Sequence, residues 1–114
     1  MKEKKGHLQK VVGSRIDGSI KYEIYCLKGK KHNRRGPAHR TWYDNGQLEY
    51  ELHFIHGRQH SDHGPAVRKW DRDGRLIKEE HWINGMQVPR KFFEDYILNK
   101  KIQVQKNIKK PARI

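Results

Sequence analysis

The sequence predicts a mainly β fold, a single twisted antiparallel meander of hairpin repeats that ends in a C-terminal capping helix. Three observations lead to this prediction. Turn-forming motifs return every 28 residues, apolar and polar residues alternate between those turns, and the aromatic residues change to helical spacing after Pro89. The chain of 114 residues then divides into a basic N-terminal arm at 1–10, a repeat meander at 11–88, and a helix with a basic tail at 89–114.

The repeat is visible in glycine, proline and tryptophan positions that share one spacing. Gly36-Pro37-Ala38, for example, returns 28 residues later as Gly64-Pro65-Ala66. The full set of repeat positions comprises Gly18, Gly29, Gly36, Pro37, Trp42, Gly46, Gly57, Gly64, Pro65, Trp70, Gly74 and Gly85. Coincidence at this many positions indicates that successive units fold alike and stack side by side.

The strands are predicted from the alternation between the turns. Leu48, Tyr50 and Leu52 fall on one side of an extended chain, and Glu49 and Glu51 fall on the other, so the period is two. Dipeptides that accept positive φ at little cost separate such segments and predict tight hairpins of the primed type. They are Asp17-Gly18, Asn45-Gly46, Asp73-Gly74 and Asn84-Gly85. Each unit is therefore expected to make two strands, and the whole meander about six.

A helix is predicted from Lys91 to Lys101, because no turn signal interrupts this segment. Its aromatic face would consist of Phe92, Phe93, Tyr96 and Ile97. We expect this face to cover the apolar surface and the open edge of the last hairpin, since terminal repeats usually need a cap. Residues 106–114 are interpreted as a basic tail.

The sequence pattern resembles a known family. Gly-Pro-Ala is followed by an aromatic residue, by Asn/Asp-Gly-x-Leu, by Glu, and by x-Gly with a His three residues later, and residues 36–60 are the best copy. This pattern resembles the MORN-variant repeat of bacteriophages and large DNA viruses, including small basic virion proteins of the Marseillevirus type. The resemblance implies an elongated, non-catalytic sheet that acts in self-association and binding. It also implies a place in the virion and in the viral factory or cytoplasm of the host cell.

The composition favours a small basic protein over a large enzyme. The chain has 26 Lys or Arg against 13 Asp or Glu, a net charge of +13, and is only 33% hydrophobic. One compact domain is expected at this length, which excludes a large catalytic scaffold. Cys26 is the single cysteine, so no internal disulfide is possible and a reducing compartment is expected. No segment reads as a secretory signal, which favours a soluble intracellular protein.

The charge is concentrated toward the two ends of the sequence, with +3 in residues 1–10, +4 in 11–89 and +6 in 90–114. A nearly neutral sheet with basic arms predicts binding to double-stranded nucleic acid without sequence preference. The predicted contact residues are Lys28, Lys30, Lys31, Arg34, Arg35, Arg68, Lys69, Arg72, Lys100, Lys101, Lys106, Lys109 and Lys110. Three alternatives stay open: a charge that serves only solubility, a protein-protein scaffold, and, less favoured, an adaptor for anionic membranes.

Neither catalysis nor metal binding is predicted. His53, His56, His60 and His63 have suggestive spacings, but His60 falls in the repeat position of His32, which favours an architectural role. Cys26 occupies the position of Phe54 and is expected to be a buried small apolar residue. We therefore predict no enzyme activity, no cofactor, no metal and no small-molecule substrate.

Two further expectations concern the sheet. The glutamates Glu23, Glu51 and Glu79 lie in register through the repeat and are expected to pair with Arg40 or Arg68 on neighbouring strands. A homodimer is also predicted, because a single-layer sheet has two faces and two edges, and one short helix cannot cover them all.

Overall fold

The computed structural model describes residues 6–109 and confirms the mainly β meander with one C-terminal helix. Its elements are β1 (Gln9–Ser14), β2 (Ile20–Leu27), β3 (Lys30–Lys31), β4 (His39–Trp42), β5 (Leu48–Leu52), β6 (Phe54–Ile55), β7 (Arg58–Gln59), β8 (Val67–Trp70), β9 (Leu76–Ile83), β10 (Met86–Val88) and α1 (Arg90–Lys109). The main sheet has the order β1-β2-β4-β5-β8-β9-β10, in which every neighbouring pair is antiparallel. Spatial order therefore follows chain order once the short strands β3, β6 and β7 are set aside. The meander begins at Gln9, two residues before the predicted start.

The first and third repeat units make three strands each, and the middle unit makes four because its long strand is divided into β5 and β6, so the prediction of two is wrong. The first half of a long strand lies inside the meander, and its second half pairs with a short return strand. In the first unit β2 pairs with β3, in the second β6 pairs with β7, and in the third β9 pairs with β10. A return strand of two or three residues is too short to produce a visible alternation, which is why the sequence pattern did not reveal it.

The two ends of the long strands carry two different kinds of turn. We call Lys28-Gly29, His56-Gly57 and Asn84-Gly85 the hairpin tips, and Asp17-Gly18, Asn45-Gly46 and Asp73-Gly74 the turn row. At the tips both residues have positive φ, as a type I′ turn requires, so the primed turn predicted at Asn84-Gly85 is confirmed.

In the turn row only the glycine has positive φ, and a β-bulge interrupts each of the three strand pairs. The primed turns predicted at these three dipeptides are therefore wrong. Side-chain capping accompanies these turns: Asp17 Oδ1 accepts the Ser19 N–H at 2.9 Å and Asn45 Oδ1 accepts the Gln47 N–H at 2.9 Å, whereas in the third turn the acceptor is Asp71 Oδ1, which accepts the Arg75 N–H at 2.9 Å. Such Asx turns stabilise a right-handed Asp or Asn before the glycine.

The two faces of the sheet differ in chemistry. One face carries a row of alternating charge in which Glu23, Arg40, Glu51, Arg68 and Glu79 lie opposite one another on successive strands. Arg40 lies 3.3 Å from Glu23 and 3.1 Å from Glu51, and Arg68 lies 3.2 Å from Glu79, which confirms the predicted pairing. On the other face the paired positions include Val11, Ile24, Leu52 and Val67.

The buried core is small because the molecule is a single layer. Its extents are 66 × 46 × 20 Å, and the buried apolar residues in 6–109 are Pro37, Ala38, Pro65, Ala66, Val67 and Phe93. Cys26 is only half-buried, so its predicted burial is wrong.

The Gly-Pro-Ala motif has a clear structural use. The Ala38 carbonyl accepts the Tyr25 N–H at 2.7 Å, and the Ala38 N–H donates to the Leu52 carbonyl at 2.9 Å. Ala66 makes the same two bonds, from His53 and to Glu80, both at 2.8 Å. Each alanine is fully buried between two long strands, where a larger side chain has no room.

The helix α1 extends to Lys109, beyond the predicted end at Lys101. The sequence between Pro89 and Pro111 contains neither Pro nor Gly, so no residue stops the helix earlier. Phe93 is buried and stacks on His81 with ring centroids 4.4 Å apart, whereas Phe92 is 57% exposed. Within residues 6–109, no helix combines the length and the apolar character that crossing a bilayer requires.

Candidate nucleic-acid interface

The three hairpin tips lie at one end of the sheet and stack on one another. The Gly57 N–H donates to the Lys31 carbonyl at 2.8 Å, and the Gly85 N–H donates to the Gln59 carbonyl at 2.9 Å. A Cβ atom on Gly57 would lie 3.4 Å from the Cβ atom of Lys30, so the aliphatic part of Lys30 packs directly on the next tip. The 28-residue repeat therefore builds a continuous row of tips.

Two repeat histidines hold this row together. His32 Nδ1 accepts the His56 N–H at 2.9 Å, and His60 Nδ1 accepts the Asn84 N–H at 3.0 Å. An accepting ring nitrogen carries no proton, so each bond requires a neutral ring whose proton is on Nε2. Burial, together with the nearby charges of His56 and Arg34, lowers the pKa of His32.

The histidines do not gather into a metal centre. In the part of the chain from 6 to 109, no three His, Cys, Asp or Glu side chains come close enough to hold an ion. The Nδ1 atoms of His32 and His60 are already engaged with backbone N–H groups. Their architectural assignment from the repeat agrees with these bonds.

Exposed cations surround the hairpin tips. They are Lys28, Lys30, Arg34, Arg35 and Arg58. None of the five forms an ion pair with another residue of 6–109, and Arg34 makes only a 3.5 Å contact with His56 Nε2. This group of five is called the tip cluster below. Arg58 was not predicted, although it occupies the repeat position of Lys30, and this correspondence was the signal that could have identified it.

The turn row lies at the opposite end of the long strands and is balanced in charge. Arg72 pairs with Asp44, and its guanidinium lies 5.4 Å from the ring centroid of Tyr43. Hydrogen bonding and charge from Arg72 lower the pKa of Asp44. The predicted contact residue Arg72 is therefore far along the strands from the tip cluster, and its charge is neutralised.

Side-chain bonds between residues 27 positions apart tie the turn row together. The Arg15 guanidinium donates to the Trp42 carbonyl, and the Tyr43 hydroxyl donates to the Trp70 carbonyl at 2.8 Å. Asn45 also donates to the Arg72 carbonyl at 2.9 Å. The backbone carbonyls at both tryptophan positions thus accept bonds from neighbouring units.

Three other predicted contact residues do not join the tip cluster. Arg68 and Lys69 project from opposite faces of β8, where Arg68 pairs with Glu79 and Lys69 lies 5.1 Å from the Tyr50 ring centroid. Lys31 lies 5.1 Å from the Phe54 ring centroid and 3.1 Å from His39 Nδ1. The predicted contact residues therefore do not all lie on one surface, because strand alternation sends adjacent side chains to different faces.

The helix places its own cations near the tips. Lys100 binds Asp62 at 3.0 Å, and the Tyr96 hydroxyl donates to the same carboxylate at 3.1 Å. Although burial acts in the opposite direction, these bonds hold the pKa of Asp62 below its ordinary value. Asp62 also accepts from His60 at 2.8 Å, so it joins the helix to the row of tips.

The remaining predicted contact residues belong to the end of α1. Lys101 and Lys106 are exposed on the helix. The side chain of Lys109 and the whole of Lys110 lie outside the described residues. The helix therefore adds at least two exposed cations beyond the Lys100 pair.

Comparison with known proteins does not assign the chain. No protein-family model matches the sequence, and no curated protein and no solved structure matches it. The resemblance to the MORN-variant repeat, with its viral setting, stays a prediction.

Proposed function

We propose that the chain is a non-enzymatic protein that binds double-stranded nucleic acid without sequence preference through the tip cluster. The observation that supports this function is the difference between the two ends of the sheet. Five exposed cations without ion-pair partners in residues 6–109 crowd one end, whereas the arginines of the other end stand among aspartates. A polyanion would meet attraction at the tips and little at the turn row.

The chemistry of the tip cluster suits phosphate contacts more than base reading. Lys and Arg side chains that neutralise phosphates release condensed counterions, which makes binding strong at low salt and independent of sequence. Sequence reading requires a helix or a two-stranded ribbon that places hydrogen-bonding groups against base edges in a groove. The face of α1 that carries Phe93 and Tyr96 is instead packed against the sheet and its loop.

A pair of matched double variants tests the location. Lys30→Gln with Arg35→Gln removes two charges at the tips, and Lys21→Gln with Arg75→Gln removes the same charges outside the tip cluster. We expect the first pair to reduce the slope of log affinity against log salt by up to about 2, at about 0.9 per lost phosphate contact. The second pair should leave the slope near that of the parent. Titration of a random-sequence duplex at several salt concentrations measures both.

Several outcomes would contradict the proposal. Equal loss in both double variants would mean that net charge alone, and not the tip cluster, governs binding. No retardation of duplex DNA at about 50 mM salt would remove the function itself. Flotation with anionic liposomes, in the absence of any DNA shift, would instead favour a membrane adaptor. Unrelated duplex sequences should bind within about a factor of three of one another if base reading is absent.

A further inference from the structure

The main sheet ends in two unpaired strand edges. β1 pairs with β2 on one side, and no strand among residues 6–109 lies on its other side. β9 pairs with β8 through Leu76–Glu80 but with β10 only at His81–Ile83. The first half of β9 therefore has no strand on its outer side within the described part of the chain. Open edges of this kind are templates for strand addition.

The repeat makes these two edges complementary. Inside the sheet β4 lies against β2 with Arg40 opposite Glu23, and β8 lies against β5 with Arg68 opposite Glu51. The first half of β9 occupies the same repeat position as β2 and β5, since Glu79 follows Glu51 by 28 residues. β1 begins the series of β4 and β8, since Val12 precedes Arg40 by the same interval. The β9 end of the sheet thus lacks a following strand of the β4 type, and the β1 end exposes a strand of that type.

We propose that a second copy of this chain docks its β1 onto the outer side of β9, as β4 docks onto β2, so that copies join head to tail. The partner is therefore the same protein, and the contact is a continuation of its own repeat. This inference does not depend on nucleic-acid binding.

At both edges the backbone N–H and carbonyl groups point in the directions that this docking requires. The Tyr25 N–H points to β4, where it binds the Ala38 carbonyl. Backbone groups of successive residues alternate between the two sides of a strand, so the N–H and carbonyl of Glu23 also point to β4. Val12 is paired with Glu23 across β1 and β2, so the N–H and carbonyl of Val12 point away from β2, to the open side of β1. By the same repeat, Glu79 turns its N–H and carbonyl toward the open side of β9.

Charge and exposure fit the same arrangement. The Glu79 side chain is 42% exposed at the open edge. Lys10 reaches Glu23, which lies opposite Val12, at 3.4 Å, so it can also approach Glu79 of the preceding copy, as Arg40 contacts Glu23 and Glu51 together. The helix leaves the edge accessible, because its side chains contact His81 and the Asp62 loop, which precedes β8.

This mode of association differs from a closed dimer. A head-to-tail contact uses two different surfaces, so each added copy exposes a new edge and the assembly continues unless it closes into a ring. A symmetric dimer would instead bury the same edge from both copies. The two modes predict different behaviour for variants that block one edge at a time.

Proline variants block each edge without removing the other. Val12→Pro removes the outward N–H of β1, and Glu79→Pro removes the outward N–H of β9, while Val12→Thr and Glu79→Gln keep both N–H groups. We expect the parent, Val12→Thr and Glu79→Gln to associate increasingly with concentration in sedimentation velocity. Each proline variant alone should sediment as a monomer. An equimolar mixture of the two should give a 1:1 pair and nothing larger.

The result is decisive in either direction. A parent that stays monomeric at the highest soluble concentration would overturn the inference, and this measurement does not require any variant to fold. Self-association that survives in one proline variant would indicate a symmetric edge contact and would overturn it too. Far-UV circular dichroism and thermal melting of the proline variants identify any that unfold. For those, Lys10→Glu and Glu79→Lys replace the prolines, each expected to weaken association alone and to restore it when the two are mixed.

Discussion

The hairpin tips and the turn row are built by the same 28-residue repeat, but the two regions satisfy their polar groups and charges in different ways. In the turn row, Asx bonds and an Arg72–Asp44 pair satisfy the local polar groups and charges. At the tips, ring nitrogens of His32 and His60 satisfy the backbone, and the lysines and arginines keep their charge for solvent. The comparison teaches that neighbouring units can be joined at both ends of their strands while the balance of charge at the two ends differs.

The largest expected difference between the two regions concerns the hydrogen bonds between units. His32→Phe leaves the partly buried His56 N–H without its acceptor and should lower the free energy of unfolding by about 1–3 kcal/mol. Tyr43→Phe removes a comparable bond in the turn row, but the freed Trp70 carbonyl needs only a water, so about 1 kcal/mol is expected. Urea unfolding of both variants measures the difference. A larger loss in Tyr43→Phe would contradict the larger contribution expected of the bond between His32 and the His56 N–H.

A smaller effect with opposite signs should follow from the two turn types. Lys28 has a φ of 52°, which is costly for a residue with a side chain, so Lys28→Gly should stabilise the protein by about 0.5–1 kcal/mol. Asn45→Gly removes both the Asx bond to Gln47 and the bond to the Arg72 carbonyl in the turn row, and should destabilise the protein by about 0.5–1 kcal/mol. Thermal melting of the two variants checks the signs. The same sign in both would mean that the turn types are not distinct in solution.

The smallest expected effect is a difference between the two regions in the pH at which each loses stability. Burial lowers the pKa of His32, so the folded state binds fewer protons than the unfolded state just below pH 6.5, and stability at the tips should fall as the pH drops through that value. The same sign holds for His53 and His81, whose pKa values are also lowered by burial.

The turn row should keep its stability to a lower pH than the hairpin tips do. Hydrogen bonds from Ser19 lower the pKa of Asp17, and Arg72 lowers that of Asp44, so their contributions are lost only as the pH falls below the ordinary carboxyl range near 4. Hydrogen exchange of the His56 and Gln47 amides between pH 7.5 and 5 compares the regions directly, after correction for intrinsic rates. Equal loss of protection at both amides would contradict the separation.

Much of the fold could be predicted from the sequence because its signals are local. The repeat positions, the alternation along Leu48–Leu52 and the change of spacing after Pro89 each report on neighbours in the chain. The pairing of Arg40 with Glu51 was also predictable, since register follows once the turns are fixed. The need for a glycine at position 13 was not predictable, because Gly13 lies outside every glycine series. It is required by the Tyr22 ring, which lies where a Cβ atom would be, 2.1 Å from Cε2.

The candidate site was less predictable than the fold. A list of lysines and arginines does not reveal which of them are neutralised by a partner, and Arg72 and Lys100 both are. Nor does it reveal which face a side chain takes, which separates Arg68 from Lys69. Arg58 belongs with Lys30 only because the short hairpins repeat, and their two-residue return strands leave almost no trace in the pattern.

The sequence by itself determined the period, the longer strands, the presence of the helix and the excess of positive charge, because each depends on composition and on spacing along the chain. The tertiary structure decided where that charge is free, which edges of the sheet stay open, and that the histidines bind backbone N–H groups. These properties arise when residues 24 to 28 positions apart come into contact. A pattern of residue types can mark such positions, but only the packed strands give them their partners and their direction.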